Sequence, residues 1–222
     1  MPTQANAKRS SQATGLAFNL LALAVMAATG AVGLAYGIDA LGRHRDATPP
    51  REGKSYVRNL AGHTLTIPAT WLRFGDSDEQ GFASQVDLQL TVPLGPDARA
   101  TKVDVTLLPR SRVRTSASLL DGVYLHQFMP NEVSGPTGLV GKPLYPTDGF
   151  EGETVWYDPL AANPFVAKCM APVEGTGNAQ CLRTVLLESG IGAVYAFDAD
   201  ALGNWRNFDT ALAEPLKAIG VH

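Results

Sequence analysis

An α+β domain behind one N-terminal transmembrane helix is the fold class that the sequence predicts, and three observations predict it. The 26 residues 13–38 carry no formal charge. Beyond them, apolar and polar residues alternate with period 2 in several short runs, the signature of half-buried strands. Near the C-terminus the period becomes helical, with Trp205, Phe208, Leu212 and Leu216 on one stripe. Composition agrees: of 222 residues, 45% are hydrophobic and 18% charged, and the net charge is -3. These values exclude charge-driven disorder and a generalised nucleic-acid binder.

Residues 1–12 read as a short cytoplasmic tail, 13–38 as the transmembrane helix, 39–55 as a linker and 56–222 as one extracytoplasmic domain. At about 1.5 Å per residue the 13–38 helix is about 39 Å long, enough to cross a hydrocarbon core of roughly 30 Å. A cleaved signal peptide competes, with Lys8 and Arg9 as its basic start and Ala35-Tyr36-Gly37 as a small-x-small cleavage site. The length of the apolar run favours retention. Ala27, Gly30, Gly33 and Gly37 fall near one helical face, and Gly33 with Gly37 has the GxxxG spacing on which a second membrane helix packs. Ala and Gly are so frequent here that a plain lipid-facing anchor is the favoured reading and helix pairing the alternative.

Flanking charge opposes the expected orientation. Arg43, Arg45, Arg51, Lys54 and Arg58 follow the apolar run, against Lys8 and Arg9 before it, and positive charge favours the cytoplasmic side. Long domains translocate largely regardless of charge, and the cysteine argument below favours an inner-membrane protein with a periplasmic C-terminal domain. Residues 39–55 contain Pro49-Pro50 and mixed charges with no apolar periodicity, as a linker does. From Tyr56 onward 12 Lys or Arg face 18 Asp or Glu, a net of -6.

The elements follow in order. Thr64 to Ile67 alternates and is closed by Pro68, predicting a short strand that runs toward Trp71. Val86, Leu88, Leu90 and Val92 form a second strand ended by Pro93, and Val103, Val105 and Leu107 a third; the Pro-Leu-Gly-Pro-Asp stretch between them predicts a hairpin. Thr115 to Phe128 predicts a helix with Leu119, Val123 and His126 on its apolar face, stopped by Pro130. Asn131 to Gly149 is rich in Gly and Pro and reads as loop. Four strand-like runs follow at 154–157, 165–170, 181–187 and 191–197, with a tight turn at Glu188-Ser189-Gly190. The closing helix begins near Gly203-Asn204, and Pro215 inside it removes a backbone donor, so a kink or an early stop is expected there.

This order of elements, with the Ile67-Pro68-Ala69-Thr70-Trp71 opening and a terminal helix after Ala193 to Phe197, resembles the Mog1/PsbP-type fold, whose members are mostly accessory and binding proteins. The chain is more closely similar to uncharacterised single-pass membrane proteins of alphaproteobacteria that combine an N-terminal anchor, an Ile-Pro-Ala-x-Trp-x-Arg-Phe segment (Ile67 to Phe74) and a late cysteine pair. That resemblance implies a topology and transfers no catalytic residue.

Cys169 and Cys181 are the only cysteines. Strand ends joined by a loop of this size can reach disulfide geometry, which implies an oxidising compartment and stabilises by roughly 2–3 kcal/mol on chain entropy. Free buried thiols, a redox centre and a metal site are the alternatives, and the spacing is not CxxC. Arg110, Arg112 and Arg114 recur at every second residue; on an extended backbone they project to one side, making them candidate anion or partner contacts against a solvated-loop reading. His63 with Ser84 and Asp87 composes a triad on paper, without the GxSxG turn that would support it. His126 on an apolar face reads as a core or boundary histidine. Glu151 with Glu153 and Asp198 with Asp200 read as solvated or helix-capping carboxylates rather than cation ligands.

The expected function is therefore non-catalytic, that of a membrane-anchored periplasmic accessory or interaction protein of an envelope complex. Its partners would be the bilayer and another membrane protein, with no nucleic acid and no cofactor or metal. A periplasmic enzyme whose site is assembled from distant loops, and a small-ligand-binding sensor, are the other classes.

Overall fold

The computed structural model describes residues 53–73, 81–146, 151–172 and 177–221, all within the unit Pro50–His222. The expected transmembrane run 13–38, with Ala27, Gly30, Gly33 and Gly37, lies outside the described residues, as do the tail 1–12 and most of the linker. No helix among the described residues is long and apolar enough to cross a membrane.

The domain is α+β. Strands β1 (Ser55–Leu60), β2 (His63–Pro68) and β3 (Gly81–Ala83) form a small sheet ordered β2-β1-β3, with β1 antiparallel to β2 and parallel to β3. Strands β4 (Val86–Leu94), β5 (Arg99–Pro109), β6 (Val140–Pro143), β7 (Glu153–Tyr157), β8 (Val166–Met170), β9 (Gln180–Leu186) and β10 (Ile191–Asp198) form a seven-stranded antiparallel sheet ordered β4-β5-β10-β9-β8-β7-β6. Helix α1 (Ser116–Gly122) follows β5, and α2 (Trp205–Ala218) closes the domain.

Alternation explains the larger sheet. The register places Val86, Leu88 and Leu90 of β4, Val103, Val105 and Leu107 of β5 and Ala193, Tyr195 and Phe197 of β10 on one face. Phe208, Leu212 and Leu216 of α2 bury against that face, joined by Leu60, Leu65 and Ile67 from the small sheet. Phe197 lies 4.4 Å from Phe208, ring centroid to ring centroid. On the opposite face, α1 and the 3-10 turn Tyr124–His126 cover only the β6–β9 half, where Leu120 and Tyr124 pack on Val155 and Val166.

Several elements depart from the sequence expectation. Ser55–Leu60 is a strand where a linker was expected to end, joined to β2 by a turn in which Ala61 and Gly62 take φ of 52° and 90°. Two successive positive φ values match the twist of a hairpin, and only Gly62 adopts its value without strain. Pro93 sits inside β4 rather than ending it, because β4 is the outermost strand and its missing N–H costs no ladder bond. The helix expected from Thr115 to Phe128 stops at Gly122. Thr115 caps it, its Oγ1 accepting from the Ser118 N–H at 3.2 Å, and the chain then tightens into the 3-10 turn. That change of pitch turns Tyr124 inward and leaves His126 exposed, which corrects its expected place on the apolar face. The expected loop 131–149 contains β6. Pro215 is accommodated within α2.

Gly192, in the central strand β10, is required by close approach. A Cβ there would lie 2.4 Å from Cγ2 of Val113, a stiff β-branched side chain in the strap that leads into α1. Gly192→Ala should therefore displace the strap and destabilise the domain by about 1–3 kcal/mol, measured as a lower urea midpoint at unchanged slope.

Candidate functional site

The strongest polar arrangement among the described residues is built around Arg183. It lies on β9 between Cys181 and Val185 in the inward-facing series, opposite Tyr195 of β10, so its guanidinium is carried into the core under α2. The side chain is 9% exposed. Nε and Nη2 donate to the two carboxylate oxygens of Asp209 on α2 at 3.0 and 2.6 Å. Nη1 donates to the Val166 carbonyl at 3.1 Å, and the guanidinium lies 4.3 Å from the centroid of the Phe165 ring. The bidentate fork and the ring stack use the planar geometry that only arginine offers.

Beside this group a cleft of about 520 Å³ opens between α2 and β9. Val185, Leu187 and Leu216 form its apolar wall, Tyr195 and the Arg183–Asp209 pair its polar floor, and Glu188, Glu214 and Lys217 its rim. Burial raises the Tyr195 hydroxyl pKa well above its usual value; the Asp209 carboxylate raises it further and Arg183 acts against them. The chemistry is accordingly quiet: the carboxylate is bound at both oxygens, the guanidinium is engaged and the phenol is neutral. The cleft has room for a ligand or a chain segment, and none of the three floor groups is poised as a nucleophile or general base.

Cys169 and Cys181 form a disulfide, facing each other directly across β8 and β9 with Cα atoms 3.9 Å apart. Both are buried. Arg110, Arg112 and Arg114 do not form an extended row. Pro109 leads into a 3-10 turn at Arg110–Arg112, and residues two apart on such a turn lie about 240° apart around its axis. Arg112 donates to the Ser84 carbonyl at 2.9 Å, while Arg110 and Arg114 are exposed. His63 opens β2, Asp87 accepts hydrogen bonds from Gln85 and Thr106, and among the described residues no hydrogen bond links His63 to Ser84 or Asp87.

Glu153 corrects the expectation of a solvated carboxylate. It is buried on β7, with Oε1 2.6 Å from Nζ of Lys168, and its Oε2 has no hydrogen-bond partner among the described residues. Together with burial, Glu153 raises the pKa of the neighbouring Tyr124 hydroxyl. Asp198 and Asp200 accept from Gln180 and Asn178. Among the described residues no three His, Cys, Asp or Glu side chains converge as metal ligands.

No protein-family model and no curated protein matches the chain. Among solved structures it is similar to Smlt3025, an immunity protein of the Stenotrophomonas maltophilia type IV secretion system. The identity is 12% and the TM-score 0.49, over 78% of this chain and 97% of that one.

Sequence reasoning missed Arg183 and Asp209. The available signal was a cation at an inward position of an otherwise apolar alternation: Cys181, Arg183, Val185, Leu187.

The two partners of the floor pair should not be equivalent. Asp209 is 48% exposed and solvates readily when orphaned, whereas Arg183 does not. Asp209→Ala should cost about 2–3 kcal/mol and Arg183→Met about 1–2 kcal/mol, compared by urea denaturation. The tyrosines give a second expectation. A hydroxyl whose folded pKa lies above the usual 10.0 holds its proton in the fold after the unfolded chain has lost it. Stability is thus intact below pH 10 and falls as pH rises beyond it. The urea midpoint should hold up to about pH 10 and drop progressively above it, and Tyr195→Phe should flatten that drop.

Proposed function

We propose that this protein is a membrane-anchored interaction subunit of a bacterial envelope complex, held to the inner membrane by residues 13–38 with its C-terminal domain in the periplasm. The observation that carries the reading is the buried Cys169–Cys181 disulfide, because such bonds persist in oxidising compartments and are rare in the cytosol. The uncharged 13–38 run and the likeness to single-pass alphaproteobacterial proteins carried by Ile67 to Phe74 support the anchor. The cleft supports binding over catalysis, since the titratable groups of its floor, Arg183, Asp209 and Tyr195, are engaged or neutral and neither His63 nor His126 lines it. Its volume of about 520 Å³ also suits a small ligand, which is what favours a sensor as the second reading. The bilayer and another membrane protein are the partners this reading names, with the exposed Arg110 and Arg114 as further contact candidates.

The reading is tested by topology and redox state together. Phe82, 95% exposed on β3, accepts a cysteine without disturbing the core. In cells carrying Phe82→Cys, a membrane-impermeant maleimide should label that position without permeabilisation. Cys169 and Cys181 should react only after denaturation and reduction. Labelling of position 82 solely after permeabilisation, with both native cysteines reactive in denaturant alone, places the domain in the cytoplasm and removes the proposal.

A further inference from the structure

The edge of β9 is open where the cleft begins. Leu187 bonds to Ile191 and Ala179 to Ala199, so the odd-numbered residues of β9 exchange hydrogen bonds with β10 and the even-numbered ones face β8. β8 pairs only as far as Leu182. Beyond that point Phe165 turns inward onto Arg183, and the Thr184 N–H is taken by Oγ of Ser116 at 2.8 Å. The next outward-facing position is Leu186. Its N–H and C=O, with the carbonyl of Thr184, meet no hydrogen-bond partner among the described residues. The Leu186 side chain is 37% exposed.

Three features therefore adjoin. An unpaired strand edge supplies main-chain donors and acceptors, which seek a further strand. The apolar wall of Val185, Leu187 and Leu216 lies on the side to which alternate residues of such a strand would point. Glu188 and Glu214 stand on the rim without an ion pair among the described residues, in a domain already acidic. We propose that β9 accepts an extended segment of a partner protein by strand addition. An apolar side chain of that segment seats in the cleft, and a Lys or Arg two residues away meets Glu188 or Glu214. The proposal rests on the interaction reading above and gives it a site and a partner chemistry.

The test uses the full-length chain in cells, with a photo-crosslinking amino acid in place of Ala213, which lines the cleft from α2, and in place of Phe82 as a distant exposed control. Leu186→Pro removes the free N–H without removing a bond to β10, and Leu186→Ala keeps it. The expected result is an adduct at position 213 stronger than at 82. Its crosslinked peptide, sequenced by mass spectrometry, should carry an apolar residue with Lys or Arg nearby. Leu186→Pro should reduce that adduct about tenfold, Leu186→Ala less than twofold, and Glu188→Lys combined with Glu214→Lys at least fivefold. If Leu186→Pro lowers the melting temperature by more than a few degrees, the charge-reversed variant decides alone. The proposal is overturned if the adduct survives both changes, if its peptide belongs to a second copy of this chain, or if position 213 gives no adduct. An adduct at position 82 with none at 213 removes the strand-addition site and leaves the interaction reading standing; cytoplasmic labelling of Phe82→Cys removes that reading instead.

Discussion

The buried guanidinium of Arg183 is the constraint on which the arrangement of this domain turns. A cation taken out of water costs several kcal/mol unless it is compensated, and here Asp209 of α2 and the Val166 carbonyl at the start of β8 accept its hydrogen bonds while the Phe165 ring just before β8 stacks on it. A leucine at the same position would fill the space with less penalty, yet it would accept many settings of α2 over the sheet. The bidentate pair accepts few. The guanidinium thus ties α2 to the start of β8 beside the cleft.

Much of the fold was legible because alternation and register coincide. In β4, Val86 to Leu94 is inward at every second residue, and the stripe Phe208, Leu212, Leu216 faces the core as its spacing implies. Where legibility failed, local signals conflicted with burial. β1 places Arg58 at an inward position between Tyr56 and Leu60 and leaves Val57 outside, so it resembles no amphipathic strand. β6 contains Gly141 and Pro143, which read as loop, although Gly141 is needed because a Cβ there would meet the Trp156 ring. His126 was misplaced because one turn of 3-10 geometry after Gly122 rotates everything that follows.

The candidate site was less legible for a different reason. The cysteine pair announces itself, since two cysteines have one way to pair. Arg183 and Asp209 are separated by 26 residues and meet only when β9 and α2 are both in place, so no window along the chain contains the pattern. The row of arginines from 110 to 114 was visible for the opposite reason: it is purely local, and Pro109 and the packing of Val113 dissolve it.

The strand order also bears on how the molecule is made. β10 lies inside the sheet, between β5 and β9, but is the last strand to be synthesised. Until it arrives, the β4–β5 hairpin and the meander β6 to β9 are separate ribbons, each with an open edge awaiting the same missing piece. Its contacts with β5 span about half of the domain in sequence, the kind of pairing that slows folding. A nascent or truncated chain lacking residues from Ile191 onward presents two unprotected sheet edges at once, and its fate then depends on whatever sequesters them during translation.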